Sequence, residues 1–504
     1  MPFRHHILIL AYASIMLLAC LNPGTALSRH EVYAAQPARE MVDSGRVHAV
    51  QTFAGEPRTN KPPTMSWLIA GSMKIFGSRE EWVCRLPSAL GGVITAWAVG
   101  MIACRLLNPT AGVLAGLISV TTVWLQIQSR LAEADMLLVA SVTIAMLALL
   151  PPRPVPRERV GVRASTSNDP PEAADPHPAL PREYTGEGIS AAAMLFWSAT
   201  AIGFLLKMVA IFITIPAAIL FAFWARDARV KRILRNPWGI AVFLILFASW
   251  PIFAYLEHPA ILHDWWAQTI PRLAGRVDQR EPITGVQYFQ EFFYHFWQIP
   301  WLLLPATPVV AIAFFTGFDR WRTSTVAKFL ISWVAPFLLV ITLTAYKSKH
   351  YSFPLLPAFS VAAAYGTMVW MRSTRYPRLV MPLLIAWFVG CAAVAITLKI
   401  VVLPKTDSYR GNVEFANAVN AWNADGQPLN LIGIGEDPIT FYLNPTPHRI
   451  DDPAKTPTAA PVYAVSDLDA LEILKKTHSF QILREAPDRR KRPKGERLVF
   501  IRVN

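Results

Sequence analysis

The chain has 504 residues, 53% of them hydrophobic and only 16% charged, with a net charge of +14. Soluble domains carry about 25% charged residues, so a soluble globular enzyme is excluded. The basic residues occur in short clusters between apolar runs, a pattern of membrane topology and not of a nucleic-acid surface.

Seventeen tryptophans and 41 prolines suit a membrane protein with aromatic belts and broken loops. The four cysteines, Cys20, Cys84, Cys104 and Cys391, are scattered and show neither metal spacing nor a disulfide framework.

Spanning lipid takes about 17–25 apolar residues. Such runs fall at 6–22, 86–106, 111–128, 135–151, 189–206, 208–225, 237–256, 297–317, 326–344, 353–371 and 379–400, roughly eleven helices. The first ends near a lipobox-like "LLAC", which fits a cleaved lipoprotein signal, although the many later spans make a signal-anchor sufficient. The run from Ile189 to Trp224 is too long for one span and is read as a hairpin turning near Lys207.

Orientation follows from arginine and lysine in the short loops. Arg153, Arg157, Arg159 and Arg163 follow the fourth span, and Arg226, Arg229, Lys231, Arg232 and Arg235 the sixth. Arg320, Arg322 and Lys328, then Arg372, Arg375 and Arg378, continue the alternation. With the N-terminus inside, all of these are cytoplasmic. Residues 23–85, the "SRLAEAD" loop, the Lys207 turn, residues 257–296, the "AYKSKHYSF" loop and the tail then face the other side. Residues 152–188, rich in Pro, Arg, Glu and Asp, read as a disordered cytoplasmic insert.

The domain reading is a membrane part over 1–400 and a small soluble α/β domain over 401–504. In the tail, "LNLIGIG", "PVYAVS", "SFQILRE" and "RLVFIRV" read as strands. "GNVEFANAVNAWN" and "DLDALEILKK" have helical period.

Once the spans are oriented, unusual ionisable residues gather at the external rim: Glu31, Lys61, Glu133, Asp135, Lys207, His258, His263, Lys347, Lys349 and His350. Ionisable groups at membrane depth are costly and mark function. Each alone also reads as an interfacial anchor that snorkels at a span end. Their convergence on one face is the stronger signal. In "GEPRTNKPPTMSW", Pro62 and Pro63 fix φ while Lys61 is pushed toward extended backbone, so a lysine stands on a stiff support beside an apolar segment. Lysines and a histidine at a lipid surface suit neutralising a departing phosphate, and a carboxylate suits taking a proton from an incoming hydroxyl. "HDWWAQ" and "YFQEFFYHFW" offer faces for a sugar or isoprenoid, or else form an aromatic belt.

"NKPPTMSWLIAGSMKIFG", "RLPSALGG", "RLAEADM", "GFLLK" and "YKSKHYSFPLLPA", in this order and spacing, resemble the polyprenyl-phosphate-sugar-dependent glycosyltransferases of GT-C fold. The likeness runs over roughly residues 6–400 and is greatest to the branch of lipid A aminoarabinose transferase and protein O-mannosyltransferase. It implies an all-α polytopic membrane domain and a lipid-phosphate-linked sugar donor, with a lipid, glycan or protein hydroxyl as acceptor. Residue by residue, it implies catalytic roles for Glu31 and Asp135, and donor binding by Lys61, Lys207, Lys349, His350 and Tyr351. A divalent metal is left open. The family opens its first external loop with Asp-Glu where this chain has His30-Glu31, and Tyr33 and Ala34 stand where arginine and tyrosine usually follow. Asn60 replaces the usual Glu or His before the lysine, and Met208-Val209 a Gly-Pro. The expected activity is glycosyl transfer on the far side of a bacterial-type inner membrane, with inversion. The rival is a secondary transporter or flippase for a lipid or small molecule, although related halves and midplane polar groups are not visible. A membrane-anchored scaffold would leave the loop motifs unexplained.

Overall fold

The computed structural model describes residues 1–19, 21, 24–59, 61–152, 186–261, 263–264, 267, 285–317, 322–344, 347–457, 461–486 and 497–503. The expected insert at 152–188 and the "HDWWAQ" segment fall largely outside these residues, as do Cys20 and Asn60.

Each apolar run coincides with helix. The membrane part begins with α1 (Phe3–Leu18), and its first long loop holds α2 (Arg29–Ser44), the strands β1 (Gln51–Phe53) and β2 (Glu56–Arg58), and α3 (Thr64–Phe76). There follow α4 (Glu81–Leu106), α5 (Pro109–Thr121), α6 (Val123–Gln128), α7 (Asp135–Ala148), α8 (Gly186–Leu206), α9 (Ala210–Trp224), α10 (Ala228–Leu234) and α11 (Pro237–Glu257). Among the described residues, 6 helices are long and apolar enough to cross a membrane. Four shorter apolar helices accompany them: α1, α5, α7 and α9. The expected span at 297–317 is a bent pair, Tyr294–Leu302 and Thr307–Gly317, meeting at 117°. The run at 111–128 likewise divides at Thr122 into α5 and α6. The helix Pro377–Thr397 exposes apolar side chains such as Leu383, Ile385 and Val389, as a helix facing lipid must. The chain is a multi-pass membrane protein.

Helices in lipid associate by close packing, because hydrocarbon is as apolar as leucine. α4 and α5 approach at paired glycines: a Cβ on Gly100 would stand 2.9 Å from the Gly112 carbonyl oxygen. The helix Leu356–Ser373 lies against Thr307–Gly317 at Gly366, where a Cβ would fall 1.9 Å from the Val309 carbonyl oxygen.

The last helical segment continues to Thr406, and the α/β domain follows. Its helices Arg410–Trp422 and Leu468–Leu474 accompany a sheet of order β4-β3-β5-β7-β6, from β3 (Leu429–Ile432), β4 (His448–Ile450), β5 (Val462–Asp467), β6 (Phe480–Glu485) and β7 (Leu498–Val503). β3 runs parallel to β4 and β5, whereas β7 is antiparallel to β5 and β6. This domain has a small core of its own, with Ile432, Leu471, Leu474 and Ile501, and shares a second one with the first loop. Phe415, Leu431, Val465 and Phe500 share one buried apolar cluster with Val32, Met41, Ile69 and Met73 of the first loop. Polar ties complete the joint: Arg39 donates to the Phe441 carbonyl, and Tyr442 Oη donates to Glu81 while accepting from the Leu27 amide.

The glycine contacts make a paired prediction. Gly366→Ala must push two helix backbones apart, and should lower the melting temperature in detergent and the folded yield. Gly390→Ala, where a Cβ meets nothing within 4 Å, should leave both unchanged.

Candidate functional site

The first loop is built to present Lys61. β1 and β2 pair through a two-residue turn at Ala54 and Gly55, both with positive φ (54 and 83°), the geometry that suits the twist of a hairpin. Glu40 of α2 fixes this turn by accepting from the Ala54 amide at 2.7 Å and from Thr52 Oγ1 at 2.5 Å. Beyond the hairpin, Gln51 grips the Lys-Pro-Pro segment. Its amide nitrogen donates to the Lys61 and Pro62 carbonyls at 3.0 and 3.1 Å. Its oxygen accepts from Ser66 Oγ of α3 at 2.8 Å. Two prolines and a buried amide therefore hold the Lys61 backbone.

Around it stand residues from three other parts of the chain. Asp135 begins α7, where a carboxylate is favoured by the helix dipole. Lys207, in the turn between α8 and α9, donates to Asp135 Oδ1 at 2.5 Å. His350, on the 3-10 turn Lys349–Leu355, places Nδ1 3.5 Å from Asp135 Oδ2 and 3.9 Å from Glu133 Oε2. Glu133 is steadied by Gln128 Nε2 at 2.9 Å. Burial opposes the charge of Lys207, but Asp135, and beyond it Glu133 and Tyr351, hold its pKa above the ordinary lysine value. Lys61 shows the opposite balance. Its side chain reaches the surface, but crowding by protein atoms and then the charges of Lys207 and Arg58 pull its pKa down to about 8. A cation so poised gains most from an arriving anion.

Of the expected donor-binding residues, Lys61, Lys207, His350 and Tyr351 are thus brought together, with Asp135 among them. Lys349 is exposed on the same turn as His350. Lys347 has a separate role, donating to the Ile341, Thr342 and Thr344 carbonyls at the end of the helix Thr325–Leu343. His263 is an exposed neighbour of Asp264.

Glu31 stands apart from the Asp135 cluster, in a buried ion pair, and lines the apolar cavity described below. It is 1% exposed. It accepts from Arg85 Nε and Nη2 at 2.8 and 3.3 Å, from the Ser28 amide at 2.8 Å and from the Ala132 amide at 3.2 Å. Burial opposes its charge, but Arg85 and these amides overcome that and hold its pKa below the usual carboxylate value. It closes the N-terminus of α2 as a capping box with Ser28 and ties α2 to α4 and to the loop that carries Glu133. The spacing Ser28-x-x-Glu31 is the sequence sign of that role. Sequence reasoning also passed over Gln51 and Arg58, and noted Tyr33 only as a departure from the family's pattern. Nothing in a lone polar residue on a strand marks it as a clamp.

The donor atoms of Glu133, Asp135 and His350 lie within 4.8 Å of one another. Two carboxylates and an imidazole are a donor set that fits a divalent ion. Lys207 already supplies positive charge at Asp135. On the other side of the same loop lies a largely apolar cavity of about 910 Å³. Its walls include Glu31, Arg85, Gln126, Arg130, Trp387 and Lys399.

A family model described as dolichyl-phosphate-mannose-protein mannosyltransferase matches residues 60–151, the segment with Lys61, Glu133 and Asp135. No curated protein matches the sequence at a significant level. Among solved structures, ArnT from Cupriavidus metallidurans bound to undecaprenyl phosphate is similar at 16% identity, with a TM-score of 0.75 over 98% of this chain and 97% of that one. Its apo form aligns at 15% identity with a TM-score of 0.76, over the same shares, 98% and 97%. The archaeal oligosaccharyltransferase AglB from Archaeoglobus fulgidus, in complex with an inhibitory peptide and a dolichol-phosphate, matches at 11% identity with a TM-score of 0.52, covering 99% of this chain and 74% of that chain. The fold is therefore that of the GT-C membrane proteins. The likeness to ArnT is one of fold, and it covers nearly the whole of both chains.

The Glu31–Arg85 pair is open to test. Arg85→Met strands a buried carboxylate and should destabilise by about 3–5 kcal/mol, read as a fall in melting temperature. Adding Glu31→Gln should recover part of the loss.

Proposed function

We propose that the protein is a membrane glycosyltransferase that moves a sugar from a polyprenyl-phosphate carrier to an acceptor hydroxyl at the extracytoplasmic face. The observation that carries this reading is the convergence of Lys61, Lys207 and His350 on Asp135 and Glu133, at the ends of separate spans. The GT-C fold, the mannosyltransferase family model and the undecaprenyl phosphate held by the ArnT structure support it.

In this mechanism the donor phosphate lies between Lys61 and Lys207. Lys207 turns from Asp135 to the phosphate, which frees an Asp135 oxygen for the acceptor hydroxyl. The hydroxyl oxygen bonds to the anomeric carbon as the bond from that carbon to the phosphate oxygen breaks. The bonding pair leaves on the phosphate, and the hydroxyl proton passes to Asp135. Attack from the face opposite the departing phosphate gives inversion. Lys61, Lys207 and His350 stabilise the charge that gathers on the phosphate. A divalent ion on Glu133, Asp135 and His350 would add Lewis-acid stabilisation. Glu31 serves as a positioning residue for the loop at 129–134. The apolar cavity beside that loop suits a lipid chain, that of the polyprenyl donor or of a lipid acceptor.

Incubating the purified protein in vesicles with a radiolabelled polyprenyl-phosphate sugar tests the reading. Label should pass to an acceptor. Translocation of intact donor without transfer would favour a transporter instead. Mass spectrometry of envelope glycolipids and glycoproteins from a deletion strain identifies the acceptor by what disappears.

The pH dependence has a defined sign. Lys61 carries its charge below about 8 and loses it above, so donor KM should rise as pH passes that value. Lys61→Arg, whatever its turnover, should move this limb beyond about pH 12.

A further inference from the structure

The C-terminal domain reaches the site through a short chain of contacts that the proposed reaction does not use. Glu436 stands in the loop after β3. Its Oε1 accepts from Arg58 Nε at 2.7 Å. Arg58 is 7% exposed, and its Nη1 donates to the Tyr33 carbonyl at 2.9 Å. The guanidinium carbon lies 4.6 Å from the Tyr33 ring centroid, and Lys61 Nζ lies 6.0 Å from the same centroid. His30 meets the ring edge-on at 5.6 Å and limits its turning.

We propose that Glu436 is a positioning residue for Lys61, acting from the C-terminal domain through Arg58 and Tyr33. The physical argument has two parts. An aromatic face attracts a cation, so the ring that Arg58 holds in place also sets where the Lys61 ammonium rests. Arg58 is moreover a second positive charge beside Lys61, and Glu436 offsets it. With its carboxylate gone, Arg58 keeps its bond to the Tyr33 carbonyl but is held less firmly over the ring, and its unbalanced charge competes with Lys61 for an arriving anion. The donor consequence rests on the transferase reading, whereas the effect on Lys61 itself does not.

The experiment reads Lys61 directly in the full-length protein without substrate. Its reaction with an amine-acylating reagent is followed against pH by peptide mass spectrometry. The charges facing Lys61 are Lys207, Arg58, Asp135 and Glu133. Glu436→Gln leaves all four in place but removes the balance on Arg58. The Lys61 titration midpoint should then fall from about 8 toward about 7. Arg58→Gln removes the neighbouring cation and should raise the midpoint. Opposite shifts support the relay, and Arg58→Gln together with Tyr33→Leu carries the test should Glu436→Gln fold poorly. In a transfer assay, Glu436→Gln should raise donor KM roughly 3–10-fold with a smaller change in kcat, and should be non-additive with Tyr33→Leu. An unchanged Lys61 titration in the folded variants overturns the proposal, as does a loss of melting temperature with donor KM unmoved. Opposite titration shifts without any sugar transfer would leave the relay standing and contradict the functional reading instead.

Discussion

The site depends on the ion pair between Lys207 and Asp135. A lone charge at the edge of a membrane span is costly, and two of opposite sign make each other tolerable. Here the partners come from different hairpins, α7 supplying the carboxylate and the α8–α9 turn the ammonium. The pair thus fixes where two spans end relative to one another, and places His350 and Glu133 beside the same carboxylate. In the proposed reaction this pair opens to the donor phosphate, which frees an Asp135 oxygen to accept a proton.

Rigidity around Lys61 comes from outside the membrane. The hairpin turn, the Gln51 clamp and the prolines settle its backbone, while Tyr33 and Arg58 shape the space around its ammonium. These in turn lean on the C-terminal domain through the shared apolar cluster and through Arg39 and Tyr442. The soluble domain is therefore part of the architecture that supports the first loop.

Hydropathy made the helices legible, because each span must be apolar over a length set by the bilayer. Tail strands such as "RLVFIRV" were legible for a similar reason, since β7 is buried along nearly all its length. The hairpin of β1 and β2 was not, because its turn is Ala-Gly instead of Asn-Gly and its strands are three residues each. Asp135, Lys207 and His350 could be placed on one face from topology, but not in contact, since no local pattern encodes an ion pair between hairpins. The brace that Glu31 forms was not legible for a physical reason. Its place in the loop suggested chemistry, while Ser28 and Arg85, three and 54 residues away, make it a buried brace.

Binding of undecaprenyl phosphate to the purified full-length protein tests the central claim most directly, by comparing the wild type with Lys207→Met. If the Lys207–Asp135 pair opens to receive a lipid phosphate, the wild type should bind saturably. The variant should bind roughly tenfold or more weakly, the scale of a lost charge-assisted hydrogen bond. Equal binding by both, or none by the wild type, would contradict the account.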